Sequence, residues 1–282
     1  MLNNRFIAPV QKADVFFSCR VRQYPDGWCE ELIANRPIFA SEPGLEPRGK
    51  SRARAPRSTR RSDNLSRSAR RAAAALRRLC HAAELSYFVT LTLDASRVNR
   101  YDVSSVIKQM SRWCDNRVRR KGLVYILVPE LHKDGALHFH GFFNSALPVA
   151  DSGTIVPPEG GKPRKPRSKR QRALWLAGGG HVVYNLPDWS LGFTTAIQLY
   201  GGYDRAVNYV LKYVTKQASS GKIGGRWYYH GGAFVEPVTH YLDITLTDLL
   251  PEGGTGFPQD YYIFEIPAAG LVMARREYYL GG

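Results

Sequence analysis

A chain of 282 residues is long enough to bury a full core, either as one large domain with extensions or as two small ones. Lys and Arg number 40 against 24 acids, a formal net charge of +16, so the expected partner is a polyanion, most simply nucleic acid. No run of 18 apolar residues occurs and no apolar stretch follows the start at Met1, which predicts a chain with no helical membrane span that stays in the cytoplasm; four scattered cysteines without a C-x-x-C pair read as free thiols in a reducing compartment.

Residues 1–47 mix short apolar runs with Pro and Gly and fit an irregular extension or a small strand pair. From Arg48 to Arg71 the chain is Arg-dense, and its first half reads as a flexible basic arm. The second half predicts a helix to about Glu84, capped by Ser62 or Asp63, because Leu65, Ala72, Leu76, Leu79 and Cys80 recur at helical spacing. Arg60, Arg61, Arg67, Arg70 and Arg71 fall off that apolar stripe, where they suit a solvated face or contacts to nucleic-acid phosphates.

Tyr87–Leu93 has the strongest strand composition in the chain, and Asp94 closes it. A helix over 102–121, with Val106, Met110 and Trp113 inward, leads to a strand at 123–128, a turn at Lys133-Asp134-Gly135 and a returning strand. Strand, helix and antiparallel pair make half of a split βαβ arrangement in an α+β fold. On the returning strand His138 and His140 are two residues apart and project from one face, and the hairpin folds the Glu130 carboxylate back toward them. Two imidazoles and a carboxylate suit Mg²⁺ or Mn²⁺ when phosphate oxygens and water complete the shell, although a bare H-x-H also arises in ordinary strands.

Residues 148–172, with Pro157-Pro158, Gly160-Gly161 and a run from Lys162 to Arg172, are expected to be a mobile basic loop that holds DNA phosphates or merely stays solvated. A strand at 192–199, a turn at Gly201-Gly202 and a helix from a cap at Asp204 to about Ala218 follow, then strands near 241–246 and 261–266. In that helix Tyr209 and Tyr213 are one turn apart, with Cβ atoms roughly 6 Å from each other, and each is followed three residues later by a lysine, Lys212 and Lys216. A phenol attacking a phosphodiester needs a neighbouring cation and a polarised phosphate, which the lysines and the histidine site would supply. The plainer alternative is a pair of half-buried tyrosines with lysines snorkelling over them. Tyr203, Trp227 and Tyr228 suit base stacking or core packing equally well.

Taken together, Phe88–Asp94, Leu137-His-Phe-His-Gly141 and Tyr209-Val-Leu-Lys-Tyr-Val-Thr-Lys216 resemble, in order and spacing, the three motifs of the HUH endonucleases. Within that superfamily the tyrosine pair resembles the rolling-circle replication initiators of single-stranded DNA phages and related prophages. The resemblance covers about residues 62–218. It implies a ferredoxin-like α+β core whose central antiparallel sheet carries the histidines, with the tyrosine helix beside it. It also implies a divalent metal (Mg²⁺ or Mn²⁺) held by His138, His140 and Glu130, with Asp94 as a further ligand or DNA contact, and Tyr209 and Tyr213 as nucleophiles aided by Lys212 and Lys216. The substrate would be single-stranded DNA at a replication origin in a bacterial cytoplasm, nicked through a covalent 5′-phosphotyrosine, with a host polymerase extending the free 3′-hydroxyl. With no G-x-x-x-x-G-K-[ST] motif in the chain, a host helicase is the expected partner for strand separation. The implied organisation is an extension and basic arm at 1–61, the endonuclease domain at 62–250 with 148–172 inserted, and a tail at 251–282.

The same motifs would serve a transposase or relaxase. Two other readings differ in class: a noncatalytic RRM-like binding module, and a metal-dependent hydrolase that uses water.

Overall fold

A computed structural model describes residues 16–39, 61–199, 203–217, 219, 221–250, 258–267 and 270–280. In chain order the elements are β1 (Phe16–Gln23), β2 (Trp28–Phe39), α1 (Arg61–His81), β3 (Tyr87–Leu93), α2 (Val103–Lys121), β4 (Tyr125–Leu131) and β5 (Leu137–Phe143). They continue with β6 (Ala150–Val156), α3 (Lys169–Ala177), β7 (His181–Asn185), β8 (Gly192–Gln198) and α4 (Tyr203–Lys216). The last strands are β9 (Tyr229–Gly231), β10 (Val238–Leu242), β11 (Tyr262–Ile266) and β12 (Leu271–Tyr279). The chain divides into two compact units, residues 57–234 and residues 1–56 with 235–282, in an α+β architecture with two antiparallel sheets.

The smaller unit is a five-stranded sheet of order β10-β1-β2-β12-β11. Tyr24-Pro-Asp-Gly27 turns β1 into β2, with Gly27 at φ 84° and the Asp26 carboxylate accepting the Trp28 amide at 3.0 Å. Buried Glu30 and Glu31 on β2 are paired across to Arg275 and Arg276 of β12 at 2.9 and 2.6 Å, which is how two carboxylates tolerate burial. The end segments, set apart by their local composition as extension and tail, thus pair with each other in one sheet. The basic arm, including Arg60, lies outside the described residues, as does the side chain of Arg61.

The larger unit is built on a seven-stranded antiparallel sheet of order β6-β7-β8-β3-β5-β4-β9. β3 and β4 both run antiparallel to β5 between them, and α2 joins them across one face. The period of two decides which residues go to which face. Val89, Leu91, Leu127, Leu137, Phe139 and Phe143 meet Val106, Met110 and Trp113 of α2. Val124, Ile126, Val128 and Phe142 meet Leu76 of α1 and Val207, Val210 and Val214 of α4. Asp102 caps α2 by accepting the Ser105 amide at 3.0 Å, and Gly122, at φ 69°, ends it. Each cap contributes about 1 kcal/mol, so the sequence signals for this helix fall where its ends lie.

Residues 148–172 are not a loop. Ile155 is buried in β6, which pairs with β7, and Ser168 caps α3, so the segment is a strand and a helix joined through the Pro- and Gly-rich turn. Asp204, expected as the cap of the tyrosine helix, sits inside its first turn with Tyr203 as the first helical residue. Trp227 is buried with its indole N–H on Ser68 Oγ at 3.0 Å, and Tyr203 donates to the Cys80 carbonyl at 2.7 Å, so these two aromatics belong to the core. All four cysteines are free and buried. No described helix is long and apolar enough to cross a membrane.

Gly141, which follows His140 on β5, has no room for a side chain: a Cβ there would collide with the Ile126 carbonyl of β4. Gly141→Ala should therefore cost about 3 kcal/mol, a fall of roughly 6–12 °C in Tm for a domain of this size. An unchanged thermal melt would show that β4 and β5 do not pair in this register.

Candidate active site

The site begins with two rows of directly opposed residues on the face that α4 covers. Glu130 of β4, His138 of β5 and Thr92 of β3 form one row; Val128, His140 and Thr90 form the next. Opposed residues on neighbouring strands share a face, so the pairing itself assembles the group. Thr90 Oγ1 lies 3.1 Å from His140 Nδ1, and Thr92 Oγ1 lies 3.3 Å from His138 Nδ1. Each threonine thus orients one imidazole and turns its Nε2 toward the space below the helix.

Glu130 joins the parts. One carboxylate oxygen is 3.0 Å from His140 Nε2 and the other is 2.7 Å from Lys216 Nζ, whose side chain is otherwise 72% exposed. The carboxylate holds the ammonium in its charged form and raises its pKa. The Tyr213 ring stacks on His140, with centroids 4.3 Å apart and planes within 5°. Its hydroxyl donates to the Tyr209 oxygen at 2.6 Å, so both phenol oxygens meet at one point. Tyr209 is 46% exposed and packs edge-on against Phe88. Gln217, just past α4, donates its amide to the Pro129 carbonyl beside Glu130 and fixes the end of the helix to β4.

Burial is the main cause of every other shift. It lowers the pKa of His138, with His132 and His140 adding to the effect, and it lowers that of His140 against the opposing pull of Glu130. Both rings are therefore neutral at physiological pH, the form that ligates metals. Burial and then the hydrogen bond with Tyr209 push the Tyr213 phenol well above its usual range.

Two imidazoles and a carboxylate are the donor types of a Mg²⁺ or Mn²⁺ site. Among the described residues, however, no three His, Cys, Asp or Glu side chains converge closely enough to hold an ion as they stand. The reason is visible: Glu130 is engaged by His140 and Lys216. The donor set fits a divalent cation in kind, and admitting one requires Glu130 to exchange those contacts.

The other expected site residues lie elsewhere or play other parts. Lys212 is exposed, and it is Lys216 that reaches Glu130. Asp94 is a turn residue: one oxygen accepts the Ser96 amide and hydroxyl at 2.9 and 2.8 Å, which lowers its pKa, and the other lies 3.7 Å from Arg97. Arg70 and Arg71 are exposed on α1, and Arg67 there is exposed with a hydrogen bond to Asn64 at 3.0 Å. Sequence reasoning passed over Thr90 and Thr92, although Thr-Leu-Thr alternates at the same spacing as His-Phe-His. It also missed His132, whose ring stacks on His138 at 4.2 Å.

Residues 86–218 match a family model of replication-associated proteins, the ORF2 family. The match runs from the start of β3 to the end of α4 and so contains every residue of this site. It supports a replication initiator that acts on DNA. No curated protein and no solved structure gives a significant match to the chain.

The two depressed imidazoles set a pH dependence for the metal-free protein. Below about 6.5 the unfolded histidines take up protons that the folded ones resist, so stability is full above that pH and declines as pH falls toward 5. Urea melts across this window should show the decline, and a His138→Gln, His140→Gln variant should show a shallower one. An equal slope in both would mean that these rings are not the buried groups responsible.

Proposed function

We propose that the chain is a metal-dependent endonuclease that nicks and rejoins single-stranded DNA at a replication origin and starts rolling-circle replication through a covalent 5′-phosphotyrosine. The observation that carries this reading is the stack of Tyr213 on His140 with the Tyr209 hydroxyl 2.6 Å from its own. A histidine pair and two phenol oxygens at one point have little purpose in a binding module. The span of the replication-associated family match supports the same reading.

In the proposed reaction a tyrosine oxygen attacks the scissile phosphorus and gives up its proton. The new O–P bond replaces the bond to the 3′ oxygen, which leaves as a 3′-hydroxyl after taking a proton. A divalent cation, held by His138, His140 and Glu130 when bound, would act as a Lewis acid on the phosphate. The chain's own residues do the rest. Thr90 and Thr92 keep the imidazoles aimed, Glu130 holds Lys216 beside the phenols, and Lys216 meets charge that develops on the phosphate. Because burial disfavours the Tyr213 phenolate, that phenol is unreactive until a phosphate or cation enters. The second tyrosine permits alternation, one phenol holding the old 5′ end while the other cuts the regenerated origin. The phosphodiester energy is kept in the protein–DNA bond, and the released 3′-hydroxyl suits a host polymerase, with a host helicase separating strands.

With labelled single-stranded oligonucleotides carrying origin-like hairpins and Mn²⁺, a denaturing gel should show label moving with the protein. Tyr209→Phe, Tyr213→Phe should lose adduct and nicking by on the order of 10³-fold or more. His138→Ala, His140→Ala should lose nicking and retain binding. Nicking that persists in the double tyrosine variant would instead assign the cut to water.

A further inference from the structure

The row that contains Glu130, His138 and Thr92 does not stop at β3. Thr92 is also paired with Phe193 of β8, so the row continues across a fourth strand on the same face. Phe193 is 65% exposed, the most exposed large apolar side chain described in this unit. Its strand neighbours show that this is not a failure of packing. Thr194 and Ala196 are buried on the opposite face, and Ile197 is half-buried where its row meets Phe88. Only the residue level with His138 leaves a phenyl ring open to solvent, two strand spacings or about 10 Å from that histidine.

A cation is fixed beside the same strand end. Arg97, 54% exposed, donates to the Ser190 carbonyl at 3.0 Å and lies 3.7 Å from Asp94. Asp94 in turn donates its amide to the Leu191 carbonyl at 3.0 Å. A guanidinium already held by a backbone carbonyl and an apolar ring facing solvent provide for the two parts of an unpaired nucleotide, its phosphate and its base.

We propose that Phe193 is a stacking platform for an unpaired base of the DNA strand that crosses the sheet, next to the nucleotide whose phosphate lies at His138, and that Arg97 holds the adjoining phosphate. This rests on the proposed function only in taking single-stranded DNA as the ligand. Phe193 makes it a site that grips bases irrespective of sequence, because every base offers a π face.

The test reads binding in EDTA by fluorescence anisotropy, apart from nicking, with a twelve-nucleotide oligothymidylate and a fully abasic strand of equal length. Phe193→Ala should weaken oligothymidylate binding about tenfold and leave abasic binding and Tm unchanged; Phe193→Trp should restore the preference for bases. The salt slope should stay the same in both, since stacking releases no counterions, whereas Arg97→Met should lower it by about one. Equal losses on both strands, or none on either, would overturn the assignment. A wild-type protein that binds neither strand would overturn it together with the nuclease reading. Absence of a tyrosine adduct, by contrast, would sink only the nuclease reading, because the Phe193 comparison is made without cleavage.

Discussion

The parallel stack of the Tyr213 phenol on the His140 imidazole is the contact on which the site depends, because it joins a helix late in the chain to a strand in the middle of a sheet. It exists only if β5 presents even-numbered residues to α4. A slip of one residue in the pairing would send both histidines into the apolar layer beneath α2 and bring Leu137 and Phe139 out. The register is secured from both sides. Apolar Leu137, Phe139 and Phe143 are buried on one face, and Gly141 lets the β4 backbone pass too close for any side chain. The tyrosines are positioned by the same logic on α4, where Val207, Val210 and Val214 are buried against the sheet and the α1 helix.

Electrostatics then govern the state in which the site waits. Glu130 divides its two oxygens between an imidazole and an ammonium, so one carboxylate balances the region where a metal and a phosphate are proposed to enter. Burial keeps the histidines neutral and the Tyr213 phenol protonated. Such a pocket holds ligand-ready donors and a nucleophile that is not yet charged. Only an incoming cation or phosphate changes that balance, which ties reactivity to the presence of substrate.

Much of this was legible in the residues. β-branched and aromatic content marked β3, the Asp102 and Gly122 signals bounded α2, and the i, i+2 histidines and i, i+4 tyrosines located the two halves of the site. What local patterns do not carry is which elements meet. That Lys216 reaches Glu130 while Lys212 is exposed follows from how α4 crosses the sheet. The pairing of β1 with β10 and of β2 with β12 joins strands more than two hundred positions apart, and no periodicity within either segment announces it. The strand at 150–156 was hidden for another reason. Its buried residue is a lone isoleucine among Ser, Gly and Thr, and the adjacent Pro-Pro and Gly-Gly pairs outweigh that signal in any reading by composition. Phe193 looked like an ordinary strand aromatic, and only the register places it level with His138.

The central claim is that a phenol held over the histidine pair becomes bonded to DNA. The most direct measurement is tandem mass spectrometry of the protein after Mn²⁺-dependent reaction with a single-stranded origin fragment, nuclease trimming and proteolysis. The account predicts a nucleotide mass on the peptide from α4, localised to Tyr209 or Tyr213 through a phosphoester. A nucleotide on any other residue, or a cut strand whose 5′ phosphate is free of protein, would contradict it.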